Sequence, residues 1–235
     1  IRGVIVLGHL SFCPALFRGF ARGHLGFRGF HLDCSMVGEK SRKIFCAKGS
    51  VGNMKNTKWW MRVFVIGLLG LMAVLAVLSM KDDSATVDEV LHVAAGYTYL
   101  TTQEYRLNPE HPPLIKDIAA VPLLFLNLSA PYSHSSWTKD TNGQWEFGRL
   151  FFYHSGNDPD KILFWSRLPM IGILLLFGLF LFWWGRELGG FFVAFLVLFF
   201  FAFSPTFLAH GRLVTTDVGA AFGMVLATYF YIKFL

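Results

Sequence analysis

"LPMIGILLLFGLFLFWWGRELGGFFVAFLVLFFFAFSPTFLA" (168–209) sets the fold class. Two apolar runs, 168–184 and 191–209, flank a short polar hexad, GRELGG, at 185–190. A helix rises about 1.5 Å per residue, so about 20 residues cross a hydrocarbon core of about 30 Å. Each run reads as a membrane span, and the hexad, with Arg186 in it, reads as a tight turn. Further runs of the same kind occupy 61–80 and 218–235. The expectation is an all-α chain: a polytopic transmembrane helix bundle with a long first outer loop, 81–167, that contains interfacial helices.

Composition points the same way. The chain is 54% hydrophobic and 17% aromatic, which is too apolar for an ordinary soluble domain. The net charge of +6 resides in residues 1–53, which hold eight Lys/Arg against two Asp/Glu; residues 54–235 hold thirteen of each sign. A nucleic-acid partner is therefore excluded for the membrane part, and membrane lipids are expected instead. The three cysteines, Cys13, Cys34 and Cys46, also fall in 1–53, at spacings that match no zinc or redox motif.

Residues 1–53 are rich in Gly, Arg and Phe and show no clear period. Met54 then opens a short basic stretch, two tryptophans and a long apolar run. Met54 is expected to be the true start, with 1–53 a non-native or disordered basic extension. The alternative is a genuine extension lying on anionic lipid. No small-x-small cleavage site closes the apolar run, so it reads as an uncleaved first span rather than a signal peptide.

Lys55, Lys58 and Arg62 flank that span on its N-terminal side, which the positive-inside rule places in the cytoplasm. Counting spans from there, Asp88-Glu89, the elbow NPEHPPLIK (108–116) and Asp217 all open onto the outer face. An acid at the mouth of a span is costly unless it meets water, a partner or the bundle interior, so it marks a candidate site. The plainer reading is a solvated loop acid.

Within the loop, Ser84 or Thr86 caps a helix from Val87, with Asp88 and Glu89 in its favourable first turn. His92 sits one turn beyond Asp88, within reach of a hydrogen bond to it. Pro109, Pro112 and Pro113 forbid a helix through the elbow and launch an amphipathic segment, LIKDIAAVPLLFLNL (114–128), suited to the membrane interface. The elbow thereby holds Glu110 and His111 near the membrane surface; the plainer reading is a stiff linker. Trp137, Trp145, Phe151, Phe152 and Tyr153 read as interface anchors in preference to sugar-stacking rings.

An acidic pair after the first span, His111-Pro112-Pro113-Leu114 before an interfacial helix, and HGRLVTTD (210–217) after the third span form a recognisable order. It resembles the polytopic glycosyltransferases of the C-type superfamily, specifically the protein O-mannosyltransferase family and the bacterial relatives that add aminoarabinose to lipid A. The resemblance covers about 54–235. Members carry more spans than are read here, so it implies an N-terminal fragment. It also implies a bacterial inner-membrane enzyme that moves a sugar, with inversion, from a polyprenyl-phosphate donor to a hydroxyl on protein, lipid or polysaccharide.

On that resemblance Asp88 is the base, tuned by partial burial. Glu89 and Asp217 join it in the catalytic set, Glu89 with His111 to position the loop and Asp217 to orient acceptor or donor or to help bind a metal. Arg212 is the first candidate for the leaving phosphate, and Lys116 and Arg106 are weaker ones. His92 and His111 complete the substrate-binding set. A divalent metal is left open: two acids and a histidine could converge to hold one, whereas some relatives need none. The rival classes are a transporter, which needs charges near the bilayer midplane and broken helices in repeated halves, and a structural membrane scaffold.

Overall fold

The computed structural model describes residues 54–235, with side chains from Trp59 onward. The three cysteines and the expected extension lie outside the described residues. The chain divides into two units, Ile1–Gly52 with Tyr231–Leu235, and Asn53–Phe230. The second unit holds the helical assembly.

Every regular element among the described residues is helical: α1 Met54–Met80, α2 Val87–Thr102, α3 Pro113–Ala120, α4 Ser135–Thr138, α5 Gln144–Tyr153, α6 Pro159–Ala202, α7 Pro205–His210 and α8 Asp217–Phe234, with a 3-10 turn at Val121–Phe125. Two stretches are long and apolar enough to cross a membrane, Trp59–Met80 and Pro159–Ala202.

The second of these is a hairpin. Gly189 (φ −148°, ψ 21°) and Gly190 (φ 74°, ψ −163°) break the helix. Gly190 occupies a backbone region that side chains exclude. On either side the arms run antiparallel: a Cβ on Gly185 would lie 3.1 Å from the Ala194 Cα, and the Phe177 and Phe201 rings are 5.1 Å apart. The turn expected at 185–190 is therefore found at its last two residues.

The bounds of both arms differ from expectation. The first begins at Pro159, not 168. Asp158 caps it by accepting from the Asp160 and Lys161 amides, and proline is favoured in a first turn. Its opening turns thus belong to the loop region, and Ile162 and Leu163 are buried there. The second arm ends at Ala202, so the helix does not continue unbroken through 209. Pro205 excludes the helical region for the residue before it, and Ser204 is extended (φ −69°, ψ 119°). The helical stretch 191–202 reaches about 18 Å, short of a bilayer core.

Two apolar cores follow. One joins α1 to both arms of α6, through Val65, Leu68, Met72, Leu174, Phe177, Leu198 and Phe201, with Val218 at the start of α8. The other lies under the loop helices and buries Val93, Tyr99, Leu107, Leu123, Phe147, Phe151 and Phe152. Each fully buried ring contributes roughly 1.5–3 kcal/mol. Phe151 and Phe152, with Trp137 beside them, are therefore core and not interface anchors; Trp145 and Tyr153 remain exposed. Exposed Leu114, Val121, Leu124 and Phe125 supply the apolar surface of the expected interfacial segment, which breaks into α3 and the 3-10 turn ahead of Pro122.

α2 runs through the centre of this second core. Gly96 meets α3 so closely that a Cβ would collide with the Lys116 carbonyl. Gly148 on α5 leaves only 2.7 Å between its would-be Cβ and the Val90 oxygen. Gly96→Ala is expected to lower stability by about 1–3 kcal/mol in thermal unfolding of the detergent-solubilised protein. Gly172→Ala, where a Cβ meets nothing within 4 Å, is expected to cost nothing measurable.

Candidate functional site

Arg167, two turns into α6, is 1% exposed, and its partner Glu89 is fully buried. Arg167 Nε donates to Glu89 Oε1 at 2.8 Å and Nη2 to Oε2 at 2.7 Å, a two-pronged pair. The remaining donors reach the carbonyls of Met80, Asp83 and Ser84 at 3.0–3.1 Å. The guanidinium thus caps the C-terminus of α1, where helix carbonyls lack partners and the dipole is negative. Arg212 does the same one residue earlier, donating to the Ser79 carbonyl at 2.9 Å while pairing with Asp83.

Glu89 is equally saturated. It accepts from the Thr86 amide (3.0 Å) and hydroxyl (3.1 Å), closing a capping box, and from the Val214 amide (3.0 Å). Burial pushes its carboxyl up, but the Arg167, Thr86 and Val214 hydrogen bonds and the Arg167 charge outweigh that and hold it below its usual 4.5. A carboxylate with both oxygens committed in this way holds the end of α1, the start of α2 and the segment before α8 together.

Val214 is clipped at both ends of its residue. Its amide goes to Glu89, and its carbonyl lies 3.1 Å from His92 Nδ1. The carbonyl can only accept, so Nδ1 carries the proton and Nε2 of the neutral ring keeps its lone pair. The expected His92–Asp88 hydrogen bond is not made; Val214 takes its place. Burial pushes the His92 pKa down, opposed by the Val214 bond, reinforced by His111 and Lys116, and offset again by Asp88. The His111 ring stands edge-on to His92 with centroids 5.0 Å apart.

The elbow is wrapped around a buried ammonium. Lys116 Nζ lies within 2.8 Å of the Asn108 carbonyl, the Asn108 Oδ1 and the His111 carbonyl, and 3.1 Å from the Tyr99 hydroxyl. Asn108 holds a positive φ of 106°, rare outside glycine, and its side-chain amide donates to Gln144. Glu110 accepts from Asn142 (2.7 Å) and Gln144 (2.9 Å). The Pro-rich stretch is therefore a fixed mount, and the side chain it leaves exposed beside His92 is His111.

The expected site residues divide. His92 and His111 come together with the 212–217 segment through the Val214 clip, and Asp88 stands one turn before His92 on α2. Asp217 is exposed in the first turn of α8, two residues before Gly219, which packs against Ile115 of α3. Asp88 is exposed, so the burial expected to tune it is absent. Lys116 has no donor to spare for a phosphate; burial pushes its pKa down to about 8. Arg106 lies 4.2 Å over the Trp137 ring and pairs with Glu104. Among the described residues no cluster of three His, Cys, Asp or Glu is set to hold a metal ion.

Sequence reasoning misses Arg167 and Val214 as site residues. Thr86-x-x-Glu89 spells a capping box, and Arg167 stands alone against an apolar run; together they signal a paired carboxylate. Arg212 Nε and Thr215 Oγ1, on either side of Val214, are buried polar atoms without a protein partner. Such atoms mark where a ligand or water completes the hydrogen bonding.

No family model matches the chain, and neither a curated protein nor a solved structure does.

Arg167→Ala is expected to destabilise the protein by about 3–5 kcal/mol, because it strands a buried carboxylate. The double change Arg167→Met with Glu89→Gln is expected to recover much of that loss. The pair's contribution is present above about pH 4.5 and is lost as pH falls through the lowered pKa of Glu89. Unfolding temperature against pH should therefore drop in acid for the parent and flatten for Glu89→Gln.

Proposed function

We propose that this chain is a membrane glycosyltransferase that moves a sugar from a polyprenyl-phosphate donor to an acceptor hydroxyl, with inversion, on the extracytoplasmic side of a bacterial inner membrane. The observation that supports this reading best is the two-sided capture of Val214 by Glu89 and His92. It joins the segment before α8 to the N-terminal half of α2, 122 and 125 residues away, at the end where α1 terminates. Protic and acidic groups gather there, next to apolar helices that suit a lipid-borne donor.

The chemistry assigns each group a task. The acceptor hydroxyl is a poor nucleophile until its proton leaves as attack proceeds. Asp88, exposed at the first turn of α2, takes that proton. The acceptor oxygen bonds to the anomeric carbon from the face opposite the phosphate, and the carbon–oxygen bond to the phosphate breaks. No enzyme–sugar bond forms, consistent with inversion. The phosphate leaves with added negative charge, which Arg212 offsets, while the Thr215 hydroxyl offers a hydrogen bond. His92 Nε2 and His111 orient the acceptor, and Asp217 binds donor or acceptor hydroxyls.

The distribution of charge favours this reading over transport. Residues 63–80, 168–185 and 191–209 contain no Asp, Glu, Lys or Arg, so no midplane charge marks an ion route in them.

Asp88→Asn in proteoliposomes supplied with a polyprenyl-phosphate sugar is expected to lower turnover by about 10²–10⁴-fold without changing membrane insertion. Near-normal turnover would remove Asp88 from the mechanism. Single cysteines placed at 88 and at 217 are expected to react with an impermeant thiol reagent from one side only, and the same side. Labelling from opposite sides would end the assignment.

A further inference from the structure

At the opposite end of α1 from the candidate site, α1 and the first arm of α6 leave a cleft of about 760 Å³ whose lining includes Arg62 and Arg186. A second, wholly apolar cleft of about 540 Å³ adjoins it. Ile66 and Leu179 line both, so the two form one groove. Gly70 and Gly172 floor the apolar part, and a Cβ on either would meet nothing within 4 Å.

Three features identify what the groove takes. First, the charged end carries two guanidinium groups. Arg62 and Arg186 are exposed and form no ion pair among the described residues, and the adjacent Glu187 instead accepts from the Tyr229 hydroxyl. Second, that end lies at a membrane boundary. Trp59 and Trp60 on α1, and Trp183 on α6, are exposed at the same level as the arginines, as amphipathic rings are at headgroup depth. Third, the length fits. From Arg62 to Ala73 the groove follows α1 for about 16 Å, and one leaflet's share of a hydrocarbon core of about 30 Å is about 15 Å.

We infer that this groove binds an anionic phospholipid of the surrounding bilayer, with its phosphate between Arg62 and Arg186 and one acyl chain along Ile66, Leu179, Gly70 and Gly172. Guanidinium groups suit this task, since they bind phosphate oxygens in pairs and extend to the interface from an apolar helix. A second copy of the chain fits poorly. Copies share one orientation in a membrane, so a symmetric contact would bring four arginines to one level against two Glu187 carboxylates, an excess of positive charge.

The test is lipid selectivity in phosphatidylcholine bilayers, read as the motionally restricted fraction of spin-labelled phosphatidylglycerol against spin-labelled phosphatidylcholine. The parent protein is expected to prefer phosphatidylglycerol. Each of Arg62→Ala and Arg186→Ala is expected to lower that preference by on the order of fivefold, as for basic residues at an anionic surface. Gly172→Leu projects a side chain into the groove from a position where a Cβ meets nothing within 4 Å, so it is expected to reduce phosphatidylglycerol binding at unchanged helix content and unfolding temperature. Equal affinity for the two lipids in the parent would overturn the inference. So would retained preference after both arginines are removed, or unchanged binding in Gly172→Leu. Polyprenyl phosphate displacing phosphatidylglycerol at equal concentration would reassign the groove to the donor lipid and overturn it as well.

Discussion

A buried Arg167–Glu89 pair is the constraint from which the rest of the site descends. Moving two charges out of water costs several kcal/mol each, and attraction alone seldom recovers it. Here the recovery comes from saturation. Arg167 makes five hydrogen bonds and Glu89 accepts five, so no lone pair or N–H of the charged groups is wasted. Those bonds gather the end of α1, the turn at 81–84, the start of α2 and the strand of chain before α8 around one point on α6. The geometry of Asp88 relative to 212–217 is a consequence of that gathering.

Close backbone approach makes the gathering rigid. α2 touches α3 at Gly96 and α5 at Gly148, positions where any side chain would force the helices apart. His92 and Asp88 therefore sit on a helix held on two sides, while His111 sits on an elbow held by Lys116, Asn142 and Gln144. A site mounted on packed elements keeps its geometry better than one on free loops. Residues that look reactive in isolation, Glu89 and Lys116 above all, are the mount.

Local patterns are legible in the chain; long-range pairings are not. The run at 61–80 and the Gly-Gly turn follow from length and glycine chemistry, and both are found. The elbow's prolines correctly set the boundary of α3. The helix is interrupted before 209 because one proline outweighs the hydropathy of its neighbours, a local effect that a window average conceals. Phe151 and Phe152 mislead because an aromatic ring suits an interface and a core equally well, and only the packing of α5 on α2 decides. Arg167 pairs across 78 residues, and no spacing rule spans that distance. The contact that brings Asp217's segment to the start of α2, a single residue held by amide and carbonyl together, carries no side-chain signature at all.

The first arm of α6 is helical from 159 to 188, about 45 Å. Its opening turns, 159–167, carry Asp160, Lys161 and Arg167 and pack in the loop core, so the part free of Asp, Glu, Lys and Arg, 168–185, is about 27 Å long, close to the thickness of a hydrocarbon core. Pro169 stands at the boundary between the two parts, where its missing amide deprives the preceding turn of one helical hydrogen bond. A bend at that proline turns Arg167, and every group bonded to it, as one block against the apolar arm.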